Sequence, residues 1–306
     1  MRIGRAGAAS LLLGLLLASA AAPAAAQQLI LKGEFGLKAG TTPPPGIYVG
    51  AFGANNLSDQ FAGPNGDVVT GPEFNQWIVG GLVEGVTNFK ILGGNYGFIV
   101  GVPFANLQSD FPRLGVDTSS GMALSQLWVV PVMLGWHFDR ADLTFHYAFY
   151  PKTGRYEPGD ASNTALGMFT NEFSLRGTYF FDAEKKIHAA LGVFYDINGQ
   201  KEGIDYTQGD PLTLMGGVGV DYGAKGSKTS GWAGLVGYAQ WQLTNTTGQD
   251  VLPPVANNKS QIYAVGPELT TLEGGLTVRY LWQFGGEYST VGSTLYAQLV
   301  MPVKMF

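Results

Sequence analysis

The chain has 306 residues, and its net charge of −5 at pH 7 gives no sign of a nucleic-acid partner. It contains no cysteine, which excludes disulfides and thiolate metal sites. Its 45 glycines and 12% aromatic residues, set against only 13% charged residues, indicate a β-rich protein with an unusual amount of aromatic surface to place.

The first 26 residues have the organisation of a secretory signal peptide. Arg2 and Arg5 precede an apolar run over residues 11–17, and a tail of small residues follows this run. The run is too short to span a bilayer of roughly 30 Å as a permanent helix. We therefore expect cleavage before Gln27 and exclude residues 1–26 from the fold.

The following segment, residues 27–46, contains the stretch TTPPPG. Each proline fixes its own φ and favours an extended chain, so Thr41, Pro43, Pro44 and Pro45 form a stiff stretch directly before the first predicted strand. Two interpretations remain open. The segment is a periplasmic leader to the first strand, or it folds back into the barrel as a plug.

Twelve strands are predicted from segments of about ten residues in which apolar and polar side chains alternate. In LTVRYLWQF, residues 276–284, one face carries Leu, Val, Tyr, Trp and Phe, and the other carries Thr, Arg, Leu and Gln. About ten residues is the length that a tilted strand needs to cross a membrane. The predicted strands cover residues 47–54, 75–87, 95–106, 124–138, 141–150, 171–182, 187–198, 212–222, 231–243, 261–269, 272–284 and 293–306.

The connections between these strands differ on the two sides of the predicted sheet. Those after odd-numbered strands are mostly long and rich in Gly, Asn, Asp, Pro and Ser, whereas those after even-numbered strands are mostly short. This asymmetry and the even strand number are typical of bacterial outer-membrane barrels whose termini are both periplasmic. The predicted fold is therefore all-β, a transmembrane antiparallel β-barrel of about 12 strands, with a range of 10–14, over residues 47–306.

A soluble β-sandwich or lipocalin-like barrel is the alternative fold. Its water-facing residues should be densely charged, but the predicted strands carry only one to three charges each. The tryptophans near many strand ends fit the aromatic girdles of a membrane barrel. The pattern thus favours a multi-pass location in the bacterial outer membrane.

Three segments resemble the outer-membrane family named Putative MetA-pathway of phenol degradation. LKGEFGLKAGTTPPPGIYVGAFG, residues 31–53, resembles the start of that family, and residues 231–245 and 263–284 resemble its last third. The resemblance implies an outer-membrane barrel found with aromatic-degradation genes and loosely similar to the hydrophobic-compound channels of the fatty-acid transporter group. The last strand departs from the pattern of outer-membrane barrels. Phe306 supplies the expected terminal aromatic residue, but the apolar side chains of this strand lie at the odd-numbered positions 295–305, on the face opposite Phe306.

Candidate lumen-lining residues are the titratable side chains on the less apolar face of the strands. They are Asp142, His146, Glu172, Arg176, His188, Asp196, Asp221, Glu273 and Arg279. These side chains either pair across neighbouring strands in a rigid interior or line a polar path whose charges set selectivity. The three histidines lie on different strands without a close-spaced partner, so the sequence predicts no catalytic residue, no metal site and no cofactor.

The function expected is a channel for passive uptake of small hydrophobic or aromatic compounds across the outer membrane. The expected partners are outer-membrane lipid and lipopolysaccharide, small apolar or aromatic molecules, and the barrel assembly machinery. A non-specific polar porin or structural barrel is one alternative, and a membrane-embedded hydrolase is another. The hydrolase has less support because the sequence contains no Gly-x-Ser-x-Gly elbow, so we expect no enzyme.

Overall fold

The computed structural model describes residues 33–111, 116–160, 162–224, 227 and 229–306. The predicted signal peptide, residues 1–26, and residues 27–32 lie outside the described residues. The described part of the chain has one short α-helix, α1 (Pro253–Ala256), and one 3₁₀ turn (Leu272–Gly274). No described helix is long and apolar enough to cross a membrane.

The described residues form fourteen strands, of which β4 and β5 are short and pair only with β3. In chain order they are β1 (Gly46–Ala62), β2 (Val68–Ile91), β3 (Gly94–Phe111), β4 (Val116–Ser119), β5 (Ala123–Leu124), β6 (Trp128–His137), β7 (Ala141–Tyr150), β8 (Thr170–Phe180), β9 (Ile187–Asn198), β10 (Pro211–Tyr222), β11 (Gly231–Gln242), β12 (Gln261–Thr271), β13 (Leu276–Glu287) and β14 (Ser289–Met305).

The twelve long strands close into one antiparallel barrel. Each pairs with its neighbours in the chain, β3 pairs with β6 beyond the two short strands, and β1 pairs with both β2 and β14. Closure removes the unpaired edges that an open sheet would expose. The predicted antiparallel barrel of twelve strands is confirmed.

The barrel has two unlike ends. The end that we call the turn end carries the short connections at residues 92–93, 138–140 and 272–275, together with the first residue of β1 and the last of β14. The opposite end, here the loop end, carries the long connections. They cover residues 112–127, 151–169, 199–210 and 243–260. The periplasmic position of the turn end stays a prediction.

The polarity of the barrel is inverted relative to a soluble protein. Along β8 the polar residues Glu172, Ser174 and Arg176 are buried inside, while Phe173 and Leu175 are exposed on the outer face. Large apolar residues are likewise exposed on the other strands, among them Leu191, Leu235, Leu269 and Val278. An apolar exterior around a polar interior is what lipid requires, and the soluble alternative does not have it.

The interior of the barrel is packed rather than open. One buried apolar cluster includes Leu37, Phe194, Met215 and Leu281, and a second includes Val86, Ile99, Val130 and Met133. A barrel of this strand number is narrow enough for side chains and a short segment to fill much of its lumen. Side chains of these two clusters therefore fill part of the lumen.

Candidate functional site in the barrel interior

Residues 33–45, which we call the N-terminal segment, lie inside the barrel. Next to β1 the segment contacts the turn-end residues of β6 and β7. The Thr41 hydroxyl donates to Asp142 Oδ2 at 2.7 Å, and Thr42 Oγ1 lies 3.2 Å from His137 Nε2. His137 Nδ1 in turn lies 3.0 Å from Asp142 Oδ1. These four side chains form one network at the mouth of the barrel.

The segment then passes very close to the wall at Gly40. Its N–H donates to Thr178 Oγ1 at 3.0 Å, and its carbonyl accepts from Thr144 Oγ1 at 2.8 Å. A Cβ added at Gly40 would lie 2.5 Å from the carbonyl carbon of Gly177, so only glycine fits there. Both backbone polar groups of this residue are thus satisfied by the wall.

A second anchor joins the segment to β10. Lys38 Nζ lies 2.8 Å from Asp221 Oδ2 and 4.4 Å from the ring centroid of Trp232. The buried His188 places its Nδ1 3.4 Å from the other oxygen of Asp221. One carboxylate therefore faces both a lysine of the segment and a histidine of the wall.

A third anchor is an ion pair between β12 and β13. Arg279 Nε donates to Glu268 Oε2 at 2.6 Å, and both side chains are more than nine-tenths buried. The same carboxylate oxygen accepts the N–H of Leu37 at 3.2 Å, and Arg279 Nη1 donates to the carbonyl of Gly33 at 3.2 Å. This pair consequently holds the segment as well as the wall.

The loop end is narrowed by the connection between β7 and β8. Residues 164–168 of this connection are buried. The side chain of Gln126 donates to the carbonyls of Tyr150 and Met168 and accepts the N–H of Leu166 at 3.3 Å. Ser125 donates to the carbonyl of Thr164 at 2.6 Å. The connection thus turns inward and covers part of the lumen.

A cavity of about 250 Å³, which we call the chamber, lies between the N-terminal segment and residues 164–166. One wall is apolar, and the opposite wall is charged. The apolar wall comprises Phe52, Ile78, Leu82, Ile99 and Met133. The charged wall comprises Glu34, Lys38, His146, Arg176, Glu268 and Arg279. Glu84 also lines the chamber.

The charged wall contains buried groups whose hydrogen-bonding capacity is not used. Glu34 Oε1 and Arg176 Nε have no hydrogen-bond partner among the described residues. The Arg176 guanidinium contacts His146 Nε2 and lies 3.9 Å from the ring centroid of Phe35. Burial raises the pKa of the Glu34 carboxyl to about 8, and the neighbouring Glu172 adds to this shift. The Glu34 carboxyl group is therefore harder to ionise than an exposed glutamate.

The structure places most of the predicted lumen residues on the inner face. Seven of the nine are buried there, and Asp221 is partly buried against Lys38. The buried seven are Asp142, His146, Glu172, Arg176, His188, Asp196 and Arg279. His146, Glu172, Arg176 and Asp196 come together on β7, β8 and β9, whereas the others are distributed among the three anchors. Their role in selectivity stays a prediction.

Glu273 does not line the lumen, and this prediction is wrong. The residue is exposed in the 3₁₀ turn between β12 and β13, with a φ of 57°. The predicted strand began at residue 272, but β13 begins at Leu276. The left-handed backbone at Leu272 and Glu273 closes the turn and breaks the alternation there.

Two of the four predicted plug residues lie in the barrel interior, and the other two contact the first or the last residues of the barrel wall. Thr41 donates to Asp142, and Pro43 lines the chamber. The carbonyl of Pro44 accepts the Tyr48 hydroxyl at 2.6 Å, and that of Pro45 accepts the N–H of Phe306 at 3.1 Å. Their effect on the flow of solutes stays a prediction.

Several interior residues were missed from the sequence. Glu34 and Lys38 belong to a segment without periodicity, so nothing assigned them a face. Glu84 lies on the same face of β2 as the apolar residues Leu82 and Val86, so the alternation did not mark this face as polar. Glu268 could have been found, because it alternates with the outward-facing Leu269.

Among the described residues no group of three or more His, Cys, Asp or Glu side chains is placed to hold a metal ion.

The family model described as Putative MetA-pathway of phenol degradation matches residues 58–299. The chain belongs to this family. The resemblance seen in its short glycine-rich motifs is thereby confirmed. A search of curated proteins gives no match.

The barrel fold is similar to that of a solved outer membrane channel. An outer membrane channel from Pseudomonas putida F1 is 13% identical, with a TM-score of 0.66 over 89% of this chain and 100% of that chain. The transport unit of the autotransporter AIDA-I from Escherichia coli is 11% identical, with a TM-score of 0.47 over 92% of this chain and 98% of that chain. At these identities the similarity concerns the fold alone. Together with the apolar exterior, this fold confirms the predicted multi-pass location in a bacterial outer membrane.

Proposed function

We propose that this protein is a channel through which small hydrophobic or aromatic compounds cross the outer membrane passively. The observation that carries the proposal is the chamber, an interior cavity between two constrictions that is lined on one side by apolar side chains. Preformed cavities with apolar walls and a few polar groups are the usual sites for small molecules. Lipopolysaccharide resists apolar solutes, and such compounds therefore need a protein route.

The N-terminal segment acts in this proposal as a plug at the turn end. It is fixed to three parts of the wall, through the Thr41 network, the Lys38–Asp221 pair and the Glu268–Arg279 pair. Such distributed anchoring suits a segment that limits water and ion flow. An apolar solute binds in the chamber first and passes when the segment or the covering loop moves.

A non-specific polar porin is the first alternative. Porins conduct through a wide, water-filled lumen, which in general needs more strands than twelve. The apolar clusters around Phe194 and Met133 occupy much of the lumen here. The packed interior supports selective passage over free diffusion of polar solutes.

A membrane-embedded hydrolase is the second alternative. His146 lies directly opposite Ser174 in the pairing of β7 with β8, and both side chains are buried. The Ser174 hydroxyl has no hydrogen-bond partner among the described residues, and His146 Nε2 contacts Arg176 instead. A nucleophilic serine needs a hydrogen bond to its base, so this pair gives the hydrolase no support.

Deleting residues 33–45 tests the proposal. The variant should show higher conductance in planar bilayers and admit small sugars, because the interior loses its non-strand filler. Saturable uptake of radiolabelled toluene by cells carrying the variant should fall, because the chamber loses one of its walls. Shortening the exposed β1–β2 connection, residues 63–67, is the matched control, since it removes no chamber residue. If the intact protein already passes sugars freely and the deletion changes nothing, the polar porin is correct.

A further inference from the structure

Two of the three cations that line the chamber are already paired. Lys38 lies 2.8 Å from Asp221, and Arg279 lies 2.6 Å from Glu268. The guanidinium of Arg176 is then the cation shared by three carboxyl groups, those of Glu34, Glu84 and Glu172. The adjacent His146 contacts that guanidinium through Nε2. The charged wall therefore lacks positive charge even when every described pair is formed.

One of these carboxyl groups, that of Glu34, lines the chamber and has a buried oxygen without a partner among the described residues. Glu34 Oε1 is buried and accepts no hydrogen bond from any described residue, whereas Glu172 Oε2 accepts the Tyr150 hydroxyl at 2.7 Å. A buried acceptor without a donor is costly, so native proteins rarely keep one without a reason. A ligand that donates a hydrogen bond and carries positive charge would satisfy this oxygen.

The opposite wall defines the rest of the ligand. Ile78, Leu82, Ile99 and Met133 present only carbon and sulfur to the chamber. The volume of about 250 Å³ is below the range of roughly 300–1,000 Å³ that is usual for drug-sized molecules. The occupant is thus small, with an apolar body at one side and a polar head at the other.

We propose that the chamber selects small apolar molecules that carry an amine, and that it discriminates against those that carry a carboxylate. This inference rests on the proposed function and names the substrate class of the same site. The ammonium head donates to Glu34 Oε1 and supplies the missing positive charge, while the ring or alkyl body lies on the apolar wall. A carboxylate in the same position would face Glu34 and Glu84 and would be repelled.

Without a ligand, a proton on Glu34 takes the place of the amine. The raised pKa of Glu34, about 8, fits a carboxyl that is neutral when the chamber is empty and ionised when an ammonium group is bound. Amine binding therefore releases the proton from this carboxyl group and puts the ammonium cation in its place.

Three ligands of nearly the same shape test the inference: benzylammonium, benzyl alcohol and benzoate. We would measure their binding to the purified full-length protein in detergent by titration calorimetry. Benzylammonium should bind roughly tenfold to hundredfold more tightly than benzoate, as expected for a hydrogen bond between charged groups. Benzyl alcohol should be intermediate.

Glu34→Gln and Glu84→Gln should each reduce the ratio of benzylammonium to benzoate affinity, and the double variant should bring it close to one. Glu73→Gln, at the loop end and outside the chamber, is the matched control and should leave the ratio unchanged. Glu34 is outside the strands, so Glu34→Gln alone keeps the test valid if the double variant does not fold.

Equal binding of the three ligands, with toluene uptake intact, would overturn the amine preference and leave the proposed function standing. A ratio that persists in Glu34→Gln would also overturn it, because the selection would then come from elsewhere. Binding of none of the three would contradict both the inference and the chamber as the transport site.

Discussion

The ion pair between Glu268 and Arg279 offers a quantitative test of the interior. Replacing Glu268 by Ala leaves the Arg279 guanidinium buried without its carboxylate, and only 8% of the Arg279 side chain is exposed. Breaking a buried pair in this way costs about 3–5 kcal/mol, whereas an exposed pair contributes about 0–1 kcal/mol. Glu268→Gln keeps the shape and one acceptor oxygen, so its cost should be smaller, about 1–3 kcal/mol.

The free energy of unfolding would be measured by urea titration of the barrel in lipid vesicles, followed by tryptophan fluorescence. Glu157→Ala, an exposed acidic residue in the β7–β8 connection, is the control and should stay within about 0.5 kcal/mol of the unchanged protein. Replacing both Glu268 and Arg279 by apolar residues should restore most of the free energy of unfolding that Glu268→Ala removes from the barrel wall. A cost below about 1 kcal/mol for Glu268→Ala would refute the buried arrangement of the pair.

Three further predictions concern the outer face, a loop and the chamber. Leu175→Arg places a charge on the lipid face and should cost about 2–4 kcal/mol in the same urea assay, more than Leu175→Ala does. Burial lowers the pKa of Lys201 to about 8 from 10.5. The charged form is disfavoured in the folded loop, so residues 199–210 should be cleaved faster by protease as the pH falls from about 10.5 to about 8, and Lys201→Met should remove this dependence. Benzylammonium binding should strengthen as the pH rises through about 8, where Glu34 loses its proton, and Glu34→Gln should abolish the change, as calorimetry at several pH values would show. The charged groups that face Glu34 are Glu172, Arg176 and Arg279.

The strands could be predicted because lipid and the interior each select one side of the sheet. In β8 this selection leaves an uninterrupted period of two, from Glu172 to Thr178 on the inside and from Phe173 to Tyr179 on the outside. Where the strands extend beyond the apolar belt, the pattern weakens. Residues 68–74 of β2 were therefore not predicted, although they pair with β1 and β3.

The interior of the barrel was harder to predict from the sequence than its wall. The path of residues 33–45 is set by single contacts such as Gly40 with Thr178 and Lys38 with Asp221, which are 138 and 183 residues apart in the chain. Such contacts produce no periodic signal, so the leader and the plug both remained open as interpretations of TTPPPG. The chamber was invisible for the same reason, since its walls come from distant strands, the segment and a loop.

The most direct test of the account asks whether the N-terminal segment closes the lumen. The chain has no cysteine, and a Cβ added at Gly135 would lie 3.0 Å from the Cβ of Thr42, close to the roughly 3.5–4.5 Å of a disulfide. Oxidised Thr42→Cys, Gly135→Cys protein would be compared with the variant that lacks residues 33–45, by the flux of small sugars into proteoliposomes. We predict that the locked protein excludes the sugars and the deletion variant admits them. A locked protein that passes sugars as freely as the deletion variant would contradict the account.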